Sequence, residues 1–277
     1  MARLTSIVLM AVLAATTANG REVTVASWNL ENLTVASKDK DFSLLAKYAK
    51  TLDADVIALQ EVEGEEVLAR VFDQAEYSFF LSSRKHTQRT AVAVRSGIAV
   101  EQQADLDSLN TTGRQRHGVD IEISIDGADI RLLAVHLKSF CFQAPLPTPD
   151  PKGNHCEKLA TQVPLIEDWI DRMASAGTPF IVLGDFNRRL NLPNDAFWDE
   201  VNDGDPKGLK LFRATAGSVP GCWNSEYKEF IDHIVYDDQV REWVVSGSFE
   251  ELVYAEETGK KAALSDHCPI AVTLDVQ

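Results

Sequence analysis

Long apolar runs are scarce in this chain of 277 residues. Beyond the first twenty positions no stretch approaches the ~18 apolar residues of a membrane-crossing helix, so the chain past that point is expected to be soluble. Glycine and proline number only 15 and 10, and 45% of the residues are apolar. Those values exclude a collagen-like, low-complexity or wholly disordered chain. Internal repeats and linker-like shifts in composition are missing, which favours one domain. No extended aromatic hairpin of the kind that dips into a membrane is visible. Basic side chains are also in deficit: 27 against 42 acidic ones, a formal net charge of −15. Such a chain has no global field that attracts nucleic acid or an anionic membrane. Any phosphate chemistry therefore needs local cations or a metal ion.

What is present begins with a leader-like segment. Met1 to Gly20 carries Arg3, an apolar run from Ile7 to Ala15, and small residues at Ala18 and Gly20. This is the layout of a secretory signal peptide cleaved before Arg21, with residues 21–277 as the folded domain. A secreted or periplasmic location follows, and export changes how four cysteines read. Cys141, Cys156, Cys222 and Cys268 lack the C-x-x-C spacing of a zinc site. In an oxidising compartment disulfides are expected. Three pairings are possible and spacing alone does not choose. The favoured one joins Cys141 to Cys156 around a Pro-rich segment, worth about 3 kcal/mol in loop entropy, and Cys222 to Cys268.

Strand and helix patterns alternate along the chain. Strands are expected at Val23–Trp28, Val56–Leu59, Tyr77–Leu81, Ala91–Val94, Val119–Ile125, Ile130–Val135, Phe180–Leu183, Ile231–Tyr236 and Pro269–Leu274. Helical spacing marks Phe42–Leu52, Glu65–Phe72 and Cys156–Ala176, the last with Pro164 as an expected kink. Asp126-Gly127 is a hairpin turn signal. Four prolines between Pro145 and Pro151 demand a loop. Two sheets with covering helices fit this order.

The informative residues stand where strands stop. Asn29 follows the first strand, Glu61 the second, and His136 the strand ending at Val135. Asp185 and Asn187 follow Leu183, Asp232 opens a late strand, and Asp266-His267 precede the last. Any one of these is most simply a cap or a turn residue, and Asp185 with Asn187 could form an Asx turn. Six such positions in one chain suggest a ligand site, since ligands of α/β folds bind at strand ends. His233 should point to the opposite face from Asp232 and is expected to be structural.

The ordered motifs WNLEN, QE, HLKS, GDFN, IDHIV and SDH, spread from about Val23 to Leu274, resemble those of the endonuclease/exonuclease/phosphatase (DNase I-like) superfamily, in a secreted bacterial-type form. The resemblance implies a four-layer α/β sandwich of two packed mixed sheets flanked by helices. It implies phosphate-ester hydrolysis with Mg²⁺, or Mn²⁺ or Ca²⁺ in its place. Asn29, Glu61 and Asp266 match the metal-binding positions, where hard oxygen ligands hold an ion that offsets charge on the phosphate. Asp185 matches the residue that activates water, and Asn187 the one that fixes water or phosphate. His267 matches the imidazole at the scissile phosphate. Asp232 matches its carboxylate partner, which favours the charged ring. His136 resembles a second histidine, able to serve the leaving oxygen, of DNA-degrading and sphingomyelin-degrading branches. Which histidine is the general acid stays open.

Substrate contacts are sought among cations near these motifs: Arg84 and Arg89 in one loop, Arg116 before a strand, and Arg188 after GDFN. Guanidinium groups suit bidentate phosphate contacts. DNA is the expected substrate, with a monomeric enzyme that does not associate stably with membranes. A phospholipid phosphodiesterase, a phosphomonoesterase and an inactive binding scaffold are the alternatives. Gln88 stands near where relatives carry a glutamate that partners the histidine. The insert from Phe140 to His155 departs from compact members and is expected to shape the cleft.

Overall fold

The computed structural model describes residues 20–225 and 227–277. Apart from Gly20, the expected signal peptide lies outside the described residues. The chain first lays down four strands: β1 (Arg21–Leu33), β2 (Val56–Val62), β3 (Tyr77–Leu81) and β4 (Arg89–Arg95). It then builds a second sheet from β5 (Ala99–Gln102), β6 (Val119–Ile125), β7 (Ala128–His136), β8 (Phe180–Asp185), β9 (Phe212–Arg213) and β10 (Asp232–Tyr236). It returns to the first sheet with β11 (Glu250–Glu251) and β12 (Ile270–Val276). The spatial orders are β11-β12-β1-β2-β4-β3 and β5-β6-β7-β8-β10-β9. β1 pairs parallel with β2 and β7 with β8, and the other pairings are antiparallel.

Alternation within strands explains the layering. In β1, Val23 and Val25 face the second sheet, while Ala26, Trp28 and Leu30 face outward onto helices. Successive side chains of a strand point to opposite faces, so a sheet buried on both sides shows this division. The inter-sheet core joins Val56, Ala58 and Val92 to Ile121, Ile181 and Ile234. Outside the first sheet pack α1 (Phe42–Leu52) and α2 (Glu65–Leu68). Outside the second pack α3 (His155–Ala176) and α4 (Ala196–Val201), with Trp169 and Phe197 buried. Two short helices, α5 (Cys222–Ser225) and α6 (Asp238–Trp243), complete the set. This is the four-layer sandwich expected from the motifs.

Local chemistry accounts for the punctuation. Asp126 and Gly127 adopt φ of 50° and 90°, as the tight β6–β7 hairpin requires. Asn154 and Glu157 form a capping box that starts α3, and Gly177 ends it in the left-handed conformation. α3 continues through Pro164 as one helix. Both disulfides have the favoured pairing, Cys141–Cys156 and Cys222–Cys268. Among the described residues no helix is long and apolar enough to cross a membrane.

Candidate active site

Three neighbouring strands of the second sheet set the first row of polar groups. β7 runs parallel to β8 with His136 beside Asp185, and β10 runs antiparallel with Asp232 on the other side of Asp185. Three motifs far apart in sequence thus end side by side. His136 Nε2 lies 3.4 Å from Asp185 Oδ2. Gly184 permits this closeness: its φ is 140°, and a Cβ there would collide with the Val135 carbonyl oxygen.

The first sheet supplies the facing groups. Asn29 Nδ2 donates to Asp185 Oδ2 at 3.0 Å, while Asn29 Oδ1 accepts from the Glu31 N–H at 2.9 Å. Glu61 falls where the register of β2 shifts against both neighbours, with φ of 60°. Left-handed backbone is uncommon for glutamate, and bulges re-aim side chains in this way. Glu61 Oε2 accepts from the Asn32 N–H and from Gln88 Nε2, both at 3.0 Å. Its Oε1 faces Arg116 at 3.7 Å and His136 Nε2 at 3.8 Å.

The SDH segment is tied to β1. Ser265 Oγ donates to the Asn29 carbonyl at 2.6 Å and accepts from the His267 N–H at 3.0 Å. Tyr254 accepts from Trp28 Nε1 at 2.8 Å and donates to the His267 carbonyl at 2.7 Å. These bonds aim the His267 ring, whose Nδ1 donates to Asp232 Oδ2 at 2.6 Å. Asp266 Oδ1 lies 3.8 Å from His267 Nε2. Asn187, at φ of 52°, donates its N–H to Asp185 Oδ1 at 2.8 Å and its amide to the Leu137 carbonyl. The Asx turn is therefore real, and it orients the carboxylate rather than replacing its role.

Burial and charge set the protonation states. Burial, helped by neighbouring Asp232, pushes the Asp185 carboxyl up to about 7. Burial opposes charge on His267, but Asp232 more than offsets it and carries the ring up to about 10. His136 goes the other way: burial, then Arg116 and His267, hold it well below the usual histidine range, so it is neutral. Among the buried atoms without a hydrogen-bond partner in the described residues are Asp232 Oδ1, His136 Nδ1, Arg116 Nε and Arg189 Nε.

These groups line one cleft of about 610 Å³, with Glu61, Arg116, His136, Asp185, Asn187, Asp232, Asp266 and His267 in its wall. Asn29 sits behind Asp185, 2% exposed. Glu61 and Asp266 offer carboxylates to this space, oxygen ligands that suit a hard divalent ion. Asn29, expected as a third ligand, does not line it: its Oδ1 accepts from the Glu31 N–H and its Nδ2 holds Asp185. His267 belongs to a close cluster with Asp185 and Asp232, where its Nδ1 is taken up by the hydrogen bond to Asp232. Cys222, Glu251 and Cys268 also cluster; their sulfurs are bonded to each other.

The arginines need correction. Arg188 is 2% exposed and pairs with Asp195 at 2.7 Å, while its Nη1 donates to the carbonyls of Cys141 and Ala144. It anchors the loop and does not line the cleft. Arg84 donates to the Gln88 and Arg114 carbonyls, and Arg89 to the Ser82 carbonyl. Both brace the loop that carries Gln88, outside the cleft lining. Arg116 does line it, and so does Arg189, the next residue after Arg188. Gln88, whose type alone gives no site signal, links Glu61 and Asn32 and accepts from Arg116 at 3.4 Å. His233 is structural as expected, fully buried between Thr215 Oγ1 and the Arg188 carbonyl. Trp223 and Phe230 are buried in the core, and Phe230 also borders the cleft.

Comparison with known proteins agrees with this geometry. Residues 26–267 match the model of the Endonuclease/Exonuclease/phosphatase family. A 5'-tyrosyl-DNA phosphodiesterase of Caenorhabditis elegans is 30% identical over 129 residues, 47% of this chain and 35% of that protein. The chain thus aligns with about a third of that relative's length. The crystal structure of TDP2 from C. elegans superposes with a TM-score of 0.66 at 22% identity, covering 92% of this chain and 75% of that one. The endonuclease domain of TRAS1, a telomere-specific non-LTR retrotransposon, gives 0.59 at 17% identity, covering 93% and 100%. The fold, the strand-end motifs and the family match converge: the chain belongs to the Endonuclease/Exonuclease/phosphatase family.

Proposed function

We propose that this protein is an exported, Mg²⁺-dependent phosphodiesterase that cuts DNA, acting as a monomer without stable membrane attachment. The carrying observation is the row of His136, Asp185 and Asp232 across three strands, facing Glu61 and Arg116 over one cleft. Glu61 and Asp266 would hold the ion, which supplies Lewis-acid stabilisation of charge on the phosphate, while Asn29 steadies Asp185 from behind. Asp185 takes a proton from water as the water oxygen attacks phosphorus; a carboxyl titrating near 7 suits a general base at neutral pH. Asn187 fixes the Asp185 carboxylate and the water beside it. Arg116 and the His267 cation offset charge on the non-bridging oxygens. With His136 neutral and His267 charged, the proton for the leaving oxygen comes from His267. Asp232 keeps that proton in place.

Support for DNA comes from the name of the C. elegans relative and from the cationic Arg116 and Arg189 in the cleft wall. Support for export comes from the leader-like first twenty residues and from two disulfides, which persist in oxidising compartments. The test is a substrate panel of plasmid DNA, RNA, sphingomyelin and a phosphomonoester, with Mg²⁺ or with chelator. Mg²⁺-dependent DNA cleavage lost in His267→Ala is the expected result. Cleavage undiminished by chelator overturns the mechanism, and preference for sphingomyelin or the monoester overturns the substrate.

A further inference from the structure

Directly after β7 the chain makes an excursion closed by the Cys141–Cys156 bridge, whose Cα atoms are 5.0 Å apart. Phe140 and Phe142 flank Cys141, and both line the cleft that holds Asp185 and His267. Phe140 is 68% exposed and adopts φ of 70°. A left-handed backbone at a bulky side chain is an outlier. Leaving an aromatic ring in water adds a second cost. Both costs fall on one residue at the mouth of the site, and such outliers cluster at ligand clamps.

The ring is held. Phe142 meets it edge-on at 6.4 Å, the His155 ring lies at 5.1 Å, and Lys138 Nζ sits 5.4 Å from its centre. Arg189 fixes the loop by donating its N–H to the Phe142 carbonyl and its guanidinium to Gln143. The result is an aromatic surface with Lys138 over one ring, in a cleft that Arg116 and Arg189 also line. A flat, apolar base on an anionic backbone matches it in shape and charge. Phe140 is four residues past His136, at most about 14 Å along the chain, so such a base would belong to a nucleotide close to the reacting phosphate.

We infer that Phe140 and Phe142 form a stacking platform for an unpaired nucleobase beside the scissile phosphate, held by the Cys141–Cys156 bridge, so that single-stranded or frayed DNA is preferred to intact duplex. A base inside a duplex has both faces covered and must be unstacked first. The inference rests on the DNA-hydrolase reading of the same cleft.

The test separates the two. Single strands carrying 2-aminopurine at successive positions are titrated in chelator, where stacking on an aromatic ring quenches the fluorescence. Matched strands carry an abasic spacer instead and are followed by anisotropy. The wild type should quench the probe at one or two positions. Phe140→Ala should bind the base-containing strand about tenfold more weakly and the abasic strand unchanged, and Phe140→Tyr should restore binding. Equal loss on both strands, or no loss, overturns the platform. A Cys141→Ser/Cys156→Ser variant should resemble Phe140→Ala; if it fails to fold, the Phe140 variants decide alone. Quenching without any hydrolysis in Mg²⁺ upholds the platform and overturns the hydrolase reading. Hydrolysis without dependence on Phe140 does the reverse.

Discussion

Asp232→Asn is the most informative perturbation of the site. Asp232 Oδ2 faces His267 Nδ1 at 2.6 Å and is the largest influence raising that ring's pKa to about 10. The ordinary histidine value is about 6.5, so the site favours the charged ring by about 5 kcal/mol in total. Asp185 and Asp266 share in this, so neutralising Asp232 should remove part of it. A fall to about 8 or below, a loss of about 3 kcal/mol, is expected. The same carboxylate raises Asp185, so that group should move down as well. The wild-type kcat/KM profile should rise as Asp185 loses its proton near pH 7 and fall as His267 loses its own near 10. In Asp232→Asn both limbs should shift to lower pH, with activity at pH 9 reduced about tenfold or more relative to its own optimum. Imidazole proton shifts followed by NMR in chelator assign the alkaline limb to His267. An alkaline limb that stays near 10, or a His267 titration still above about 8, refutes the reasoning.

Four further outcomes follow from the same geometry. Burial raises the Asp185 carboxyl to about 7, so the folded state favours its protonated form. That contribution is fully present below the unfolded value of about 4 and is lost as pH rises through 7. Asp185→Asn should therefore melt higher than the wild type in chelator at pH 8, while kcat falls by about 10² or more; a lower melting temperature contradicts the strain. Arg188→Ala should destabilise by roughly 3–5 kcal/mol, because it leaves Asp195 buried without its partner. Arg116→Ala should instead raise KM for DNA and spare stability, and urea unfolding with kinetics separates the two. Replacing Cys222 and Cys268, 46 residues apart, with serine should lower stability by about 4 kcal/mol. Since Cys268 adjoins His267, kcat should fall too; unchanged kcat would show that the bridge does not position the ring.

Some elements were legible because their signals are local. Phe42–Leu52, Tyr77–Leu81 and Val119–Ile125 match the expected bounds, since each has a clean period and clear ends. The helix expected over Glu65–Phe72 stops at Leu68, giving way to turns. Phe212–Arg213 and Glu250–Glu251 were missed because two residues carry no period, and Ala99–Gln102 because its mostly exposed edge has little apolar alternation. The arginines show the same limit in the site. Arg188 and Arg189 are adjacent and chemically alike, yet one is buried against Asp195 and the other borders the cleft.

By itself the sequence determined which residue types end the strands, in what order, and hence the family. A carboxylate, amide or imidazole after an apolar run is written in the chain. The tertiary structure alone decided which of them meet and what charge each carries. Register across β7, β8 and β10 puts His136, Asp185 and Asp232 side by side. Burial then makes one histidine neutral, while a buried carboxylate makes the other a cation. Those states depend on desolvation and on distances between groups remote in sequence, and both exist only once the two sheets have packed.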